Sequence, residues 1–312
     1  MTKITVSLFA SAFLAVAFSF VGFTGPKSAV AAGDTFVLGR ITENPQKHFA
    51  AMQDMGSYIV GHLKDLGYTK AEVVVAKSMD EMAQLLRDGK VDALSETPFG
   101  ATHLVDEVGA EALLREWKKG VSAYRSVFFS AKENGVENLE GLRGKTVVFE
   151  DEGSTSGFLM PLAILRMEGL EAVKLNKPTE TPPADKVGYF FSNNEMSQLI
   201  LVARGTAAAG AFSNLDWAEY QEAKKLQGKL KVFHEGDAVM RSVFLVRDGL
   251  SDAVKVRIAQ TLLNMDSRDA GKRVLKSYNK VKKYDQPTPK EMAESLSYIR
   301  SMATLLTDQT AN

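Results

Sequence analysis

The chain has 312 residues, 38 basic and 38 acidic side chains, 45% hydrophobic residues and no cysteine. Without cysteine there can be no disulfide, thiolate metal site, cysteine nucleophile or lipid-modified amino-terminal cysteine. The fold must rest on its apolar core, which a chain of this length supplies most readily as two domains. Balanced charge gives no long-range attraction for nucleic acid, anionic membranes or small anions, so any anion site has to be local.

Met1-Thr2-Lys3 is a short positive start, Ile4 to Phe23 is apolar apart from scattered Ser, Thr and Gly, and Gly25-Pro26 precedes the small-x-small triplet Ala29-Val30-Ala31. This is the order of a secretory signal peptide over residues 1–31, cleaved after Ala31 or Ala32. An uncleaved anchor is the rival reading, since about 20 apolar residues span a bilayer; the Gly-Pro break favours cleavage and a periplasmic mature protein. Loss of Lys3 and Lys27 with the leader leaves 36 basic against 38 acidic side chains.

Phe36–Gly39 reads as a first strand, followed by a polar loop through Thr42, Glu43 and Asn44. Pro45 suits a helix start, and Phe49, Met52, Gly56, Ile59, Val60, Leu63 and Leu66 keep helical spacing up to Gly67. Ala71–Ala76 is a Val-rich strand, Ser78 and Glu81 form a capping box for a helix over Met79–Arg87, and Val91–Ser95 is the next strand. A second unit carries strands at Val127–Ser130, Thr146–Glu150 and Ala207–Phe212, and helices at Ser156–Glu168 and Glu195–Ala203. Prolines 178, 182 and 183 mark a surface loop over residues 177–185. After Val243–Val246 the chain reads as helical to its end, with one helix starting at Ser251 and a capping box with proline at Thr288-Pro289-Lys290-Glu291.

Alternating strands and amphipathic helices predict an α/β protein with mostly parallel sheets. We expect two lobes, one from residues 34–126 and 241–312, the other from residues 127–240. The crossings fall near Tyr124–Ser126 and Arg241–Ser242, with a ligand in the cleft between lobes.

The segment Glu150-Asp151-Glu152-Gly153-Ser154-Thr155-Ser156-Gly157 joins a strand to a helix and holds three successive hydroxyls. The first N–H groups of a helix lack internal partners and sit at its positive end. With Ser154, Thr155 and Ser156 beside them they form an anion cradle that needs no arginine or lysine. Simple capping is the plainer reading, but it needs one hydroxyl rather than three. The Gly153–Gly157 spacing is too short for a phosphate-binding P-loop, and Thr155 stands where a hydrolase elbow needs serine.

Tyr124-Arg125-Ser126-Val127-Phe128-Phe129, then Leu139–Phe149, then Gly153-Ser154-Thr155-Ser156-Gly157-Phe158-Leu159-Met160-Pro161 resembles the phosphate/phosphite/phosphonate-binding proteins of ABC transporters. The resemblance runs from about Phe36 to Leu263. It implies the two-lobed type 2 periplasmic-binding fold, each lobe a mixed, mostly parallel sheet flanked by helices, with the three hydroxyls holding a small oxyanion. Three ligand-facing positions of that family look altered: a tyrosine becomes Ala101, a Gly-Ser-His-Asp run becomes Ser192-Asn193-Asn194-Glu195, and a Gly-Lys-Val-Asp run becomes Gly205-Thr206-Ala207-Ala208.

Glu96, at the carboxyl end of a strand, is the candidate to compensate. An ionised carboxylate only accepts hydrogen bonds, so beside an anion it selects a ligand that keeps a proton or an amine. A surface carboxylate is the plainer reading. Asn194 can donate where the histidine is lost, against a plain turn role; Thr42 and Thr97 are candidate lining residues, and Tyr124 a candidate at the hinge. His48, His62, His103 and His234 lack metal-ligand spacing, so neither metal nor cofactor is expected. Trp117-Lys118-Lys119 reads as structural or partner-facing. The expected function is oxyanion capture by a monomer for an ABC permease. The alternative is a sensory binding protein that presents its ligand to a histidine kinase or chemoreceptor. An enzyme would need a nucleophile and base that the sequence does not offer.

Overall fold

The computed structural model describes residues 33–42, 44–222 and 228–307, so the leader and its cleavage site lie outside the described residues. Strand β1 (Thr35–Ile41) runs parallel to β2 (Lys70–Ala76) and β3 (Ala93–Glu96), with α1 (Pro45–Val60) and α2 (Met79–Arg87) as the crossovers. The capping box of α2 forms: Glu81 N donates to Ser78 Oγ at 3.2 Å, while Glu81 Oε2 reaches back to Lys77 N at 2.7 Å. Helix α1 stops at Val60 rather than continuing to Leu66; a separate 3-10 turn over Lys64–Leu66 ends at left-handed Gly67. That turn keeps Leu63 buried, so the apolar spacing persists after the helix has ended.

Helix α3 (Pro98–Val108) and strand β4 (Glu111–Glu116) follow, both missed in the sequence reading. Residues 117–122 then leave this sheet for a second one, which the chain enters at β5 (Ala123–Ala131). Tyr124 and Ser126 therefore lie inside a strand, just past the crossing. The second sheet adds β6 (Thr146–Phe149), α4 (Met160–Met167), β7 (Ala172–Lys174), β8 (Val187–Phe191), α5 (Glu195–Ala203), β9 (Ala209–Ser213), α6 (Asn214–Glu222) and β10 (Leu230–Met240). Its order is β10-β5-β9-β6-β8-β7, with β5 antiparallel to β9 and β10, and β6 parallel to β8 and β9.

At Arg241-Ser242 the chain crosses back to β11 (Val243–Val246), antiparallel to β3 and β4. Helices α7 (Asp252–Leu263) and α8 (Asp269–Ser277) cover the first sheet. The short strand β12 (Tyr284–Asp285) interrupts the expected all-helical end and completes the order β12-β4-β11-β3-β1-β2. Helix α9 (Pro289–Thr307) starts on a reciprocal capping box: Thr288 N donates to Glu291 Oε2 at 2.7 Å and Glu291 N to Thr288 Oγ1 at 3.2 Å.

Each sheet carries apolar layers on both faces, which makes two lobes. A further cluster lies between them, where Ile299 and Met302 of α9 pack with Tyr124, Leu159, Met160, Ala163 and Val239. Helix α9 thus belongs to neither lobe alone: Arg300 binds Asp106 of α3, and Tyr298 donates to Asp237 of β10 at 3.2 Å. Among the described residues no helix is long and apolar enough to cross a membrane.

Candidate functional site

The carboxyl ends of the parallel strands β1, β3 and β6 open toward the space between lobes, the place where α/β sheets expose loops to a ligand. From β1 come Arg40 and Thr42, from β3 Glu96 and Thr97, and from β6 the loop from Glu150 to Ser156. The two crossings add Lys118 and Arg241.

The hydroxyl loop is held from within. Gly153 N donates to Asp151 Oδ1 at 2.8 Å, which turns the chain tightly after β6. Ser154 is extended (φ −76°, ψ 123°) and its Oγ accepts from Gly157 N at 2.9 Å, an N-cap bond. The helix therefore starts at Thr155 and not at Ser156, through one wide π-type turn over Thr155–Leu159 that runs into α4. Glu150 lies beneath it, with Oε2 2.8 Å from Ser154 Oγ. Position 157 must be glycine: a Cβ there would sit 2.6 Å from Glu150 Oε2 and 2.9 Å from Ser154 Oγ.

Thr155 and Ser156 are buried. Phe99 N, in the first turn of α3, donates to Thr155 Oγ1 at 3.0 Å across the lobe boundary. The Tyr124 hydroxyl lies beside Thr155 and Ser156. Ser126 Oγ fixes the turn by donating to the Ser156 carbonyl at 2.6 Å. Two helix amino termini thus meet at Thr155, one from each lobe, and both bring a positive end.

Near the hydroxyls stands a group of cations that the sequence reading missed: Arg241, Lys118 and Arg40. The Arg241 guanidinium stacks on the Tyr124 ring, 4.4 Å from its centroid. Arg241 is 6% exposed and Tyr124 3%, and Arg241 Nε and the Tyr124 hydroxyl are both buried without a hydrogen-bond partner. Arg40 Nε and Thr97 Oγ1 share that condition. Buried polar atoms are nearly always paired, so four such atoms along one cleft mark it as polar ground. Lys118 faces the cleft from the first crossing; burial and the charges of Arg241 and Arg40 lower its ammonium to about 8, against the pull of Glu116 and Glu96. Its neighbours anchor the turn: Trp117 lies under Lys283 at 4.4 Å, and Lys119, in the left-handed region at φ 53°, binds Asp216 at 2.5 Å. Trp117 and Lys119 are therefore structural, whereas Lys118 is turned inward. His48, on α1, is held down at about 4 by burial and by Arg40, Lys47 and Lys118.

Glu96 accepts from Thr97 N at 3.2 Å and faces Lys118 and Arg40. Burial raises its carboxyl to about 6, against the effect of those two cations. It folds back over Gly100, where a Cβ would come within 2.9 Å of Oε2. Thr42 Oγ1 accepts from Asn44 N at 3.1 Å. Asn194 stands apart: it is exposed, caps α5 by accepting from Ser197 N at 2.8 Å, and turns its Nδ2 to the Ser192 carbonyl at 3.5 Å. Ala101 points into the core of the first lobe. The structure thus brings Ser154, Thr155, Ser156, Tyr124, Glu96 and Thr97 to one cleft, with Thr42 at the end of β1. Among the described residues no group of three His, Asp or Glu side chains is placed to hold a metal ion. An open groove of about 620 Å³ near Val105, Met292 and Leu296 shares no residue with this cleft.

Comparison with known proteins gives the arrangement its context. The family profile described as "ABC transporter, phosphonate, periplasmic substrate-binding protein" matches residues 41–292. The chain belongs to this family. The phosphate-import protein PhnD of Mycolicibacterium smegmatis is 29% identical over 273 residues, 83% of this chain and 81% of that protein. XAC2383 from Xanthomonas citri, bound to chloride ion, superposes with a TM-score of 0.82 at 26% identity, covering 87% of this chain and 99% of that one. The same protein bound to ATP gives 0.82 at 25% identity, covering 88% and 100%. PhnD1 from Prochlorococcus marinus with methylphosphonate shares the two-lobed fold, with a TM-score of 0.67 at 18% identity over 88% of this chain and 98% of that one. Family members are substrate-binding components of ABC transporters, with a small-molecule ligand and a membrane permease as partners.

Proposed function

We propose that this family member captures a phosphate- or phosphonate-like oxyanion in its inter-lobe cleft, as a periplasmic monomer freed of residues 1–31, and delivers it to its permease without turnover. The observation that carries the reading is the meeting at Thr155 and Tyr124. Hydroxyls and a helix end come from one lobe, a second helix end from the other, and the buried, partly unpaired Arg241 from the crossing. Such a set supplies short donors from several directions to a tetrahedral anion. In this reading Ser154, Thr155 and Ser156 hold the oxygens, Arg241, Lys118 and Arg40 balance the charge, and Thr97, Thr42 and Tyr124 line the wall. Asn194 acts through the cap of α5 and not through its own amide. Glu96 accepts from a proton or an amine that the ligand retains, which favours protonated phosphorus oxyanions over sulfate.

The test is calorimetric titration of the mature protein with phosphate, phosphite, methylphosphonate, aminoethylphosphonate and sulfate. ATP belongs in the panel because XAC2383 was solved with it. Binding of at least one phosphorus oxyanion well ahead of sulfate supports the reading. Binding of none, or sulfate ahead of all, refutes it.

A further inference from the structure

Ser154 can hold an anion only by donating to it, yet its hydroxyl is already engaged twice: it accepts from Gly157 N at 2.9 Å and lies 2.8 Å from Glu150 Oε2. A serine hydroxyl has one hydrogen and two lone pairs. If Glu150 is a carboxylate it can only accept, so the Ser154 hydrogen is committed to it. The hydroxyl then offers an anion nothing but a lone pair. If Glu150 is a carboxylic acid the direction reverses. Its own hydrogen goes to Ser154 Oγ, both lone pairs are filled, and the Ser154 hydrogen is free to point into the cleft.

We propose that Glu150 is a positioning residue of the oxyanion site, whose protonated carboxyl donates to Ser154 and thereby turns the Ser154 hydroxyl into a donor for the ligand. The inference rests on the assignment of Ser154–Ser156 made above. The surroundings favour the protonated form. The charges that act most strongly on Glu150 are carboxylates from three directions: Glu195 on α5, Asp151 on its own loop and Asp216 on α6. Asp216 is partly offset by its ion pair with Lys119. Gln198 of α5 offers only an amide: in its satisfied orientation it donates to the Ala211 carbonyl and accepts from Glu150 N at 2.8 Å. Arg241 acts on the Tyr124 hydroxyl with the opposite sign to Glu150. Burial first, then Glu195 and Asp151, raise the Glu150 carboxyl to about 8, and the Ser154 bond offsets this in part.

Below about pH 8 Glu150 is neutral and Ser154 serves the ligand; above it the carboxylate takes back that hydrogen and adds a negative charge beside the anion. A bound anion also makes ionisation of Glu150 harder, so binding near this pH draws in a proton.

The probe is inorganic phosphate, titrated between pH 6.5 and 9.5 on the wild type, Glu150→Gln and Ser154→Ala, in buffers of different ionisation enthalpy. Glutamine keeps the size and a hydrogen for Ser154 but cannot ionise, and the comparison removes the titration of phosphate itself. Glu150→Gln should bind within about threefold of wild type at pH 7 and tighter by about tenfold or more at pH 9.5, the worth of one hydrogen bond to an ionised group. The wild type should take up more protons than Glu150→Gln on binding near pH 8. Parallel pH profiles with equal proton uptake, while Ser154→Ala still weakens binding, overturn the role of Glu150 and leave the site intact. Full affinity in Ser154→Ala overturns the site assignment and this inference with it.

Discussion

Thr155 offers the sharpest test of closure, because its hydroxyl accepts from one lobe while sitting on the other. Its Oγ1 receives the Phe99 N–H at 3.0 Å, which leaves its own hydrogen for the neighbouring Tyr124 hydroxyl or for a ligand. Thr155→Val keeps the shape and removes both functions. The lost bond to an anion is worth ~1.5–3 kcal/mol, and a Phe99 N–H left without an acceptor in the closed form costs a further ~1–3 kcal/mol. Affinity for phosphate should therefore fall about 100-fold or more. Thr155→Ser, which retains the hydroxyl, should stay within about threefold. Phe99 belongs to one lobe and Thr155 to the other, so if ligand binding is what holds the lobes together here, the ligand-free protein should melt as before. What changes is the rise on adding phosphate: at 1,000 times the wild-type Kd, stabilisation drops from about 4.1 to about 1.4 kcal/mol. At roughly 2 °C per kcal/mol for a chain of this size, the upward shift in Tm shrinks from about 8 to about 3 °C. Wild-type affinity in Thr155→Val, or an equal loss of Tm with and without phosphate, would refute the bridging role.

Arg241→Met should weaken phosphate binding by ~10-fold or more, because it removes a desolvated guanidinium but keeps an apolar stem against Tyr124; unchanged affinity by calorimetry would put the ligand elsewhere. Glu96 should discriminate by pH: with its carboxyl near 6 it is mostly charged at pH 7.5 and neutral at pH 5. Sulfate should then bind more weakly to wild type at the higher pH, and Glu96→Gln should abolish that difference while weakening phosphate; equal effects on the two anions would count against it. Ile299→Ala, at a fully buried site of α9 between the lobes, should lower unfolding stability by ~2–5 kcal/mol in urea titrations. A loss below about 1 kcal/mol would mean that α9 only rests on the surface.

Local chemistry carried much of the fold. Capping boxes at Ser78 and Thr288 and the apolar run Val243–Val246 were legible because cap, proline and period act within a few residues. The elements that escaped are those whose pattern is set by distant partners. Strand β10 runs over eleven residues with bulges at Val232/His234 and Glu235/Ala238, which spoil the two-residue alternation a strand should show. Helix α6 has polar and apolar residues spread round its circumference, so no stripe announces it. Strand β4 has alternating partners only because β11 and β12 flank it from the far end of the sequence.

The site divides along the same line. Ser154, Thr155 and Ser156 lie together in the chain, and a helix tip fringed with hydroxyls announces its chemistry from spacing alone. Arg40, Lys118 and Arg241 are far apart in sequence, and each has an ordinary local reading: a charge at a strand end, a basic turn, a residue between strands. Only the crossing of the chain at 117–122 and 241–242 brings them together, and the burial of Arg241 makes that charge costly enough to need a purpose. Glu150 is the extreme case. In sequence it heads a run of three acids and looks solvated, yet the turn that exposes Glu152 folds Glu150 under Ser154. The same carboxyl, by holding or releasing one hydrogen, then decides which way the neighbouring serine faces.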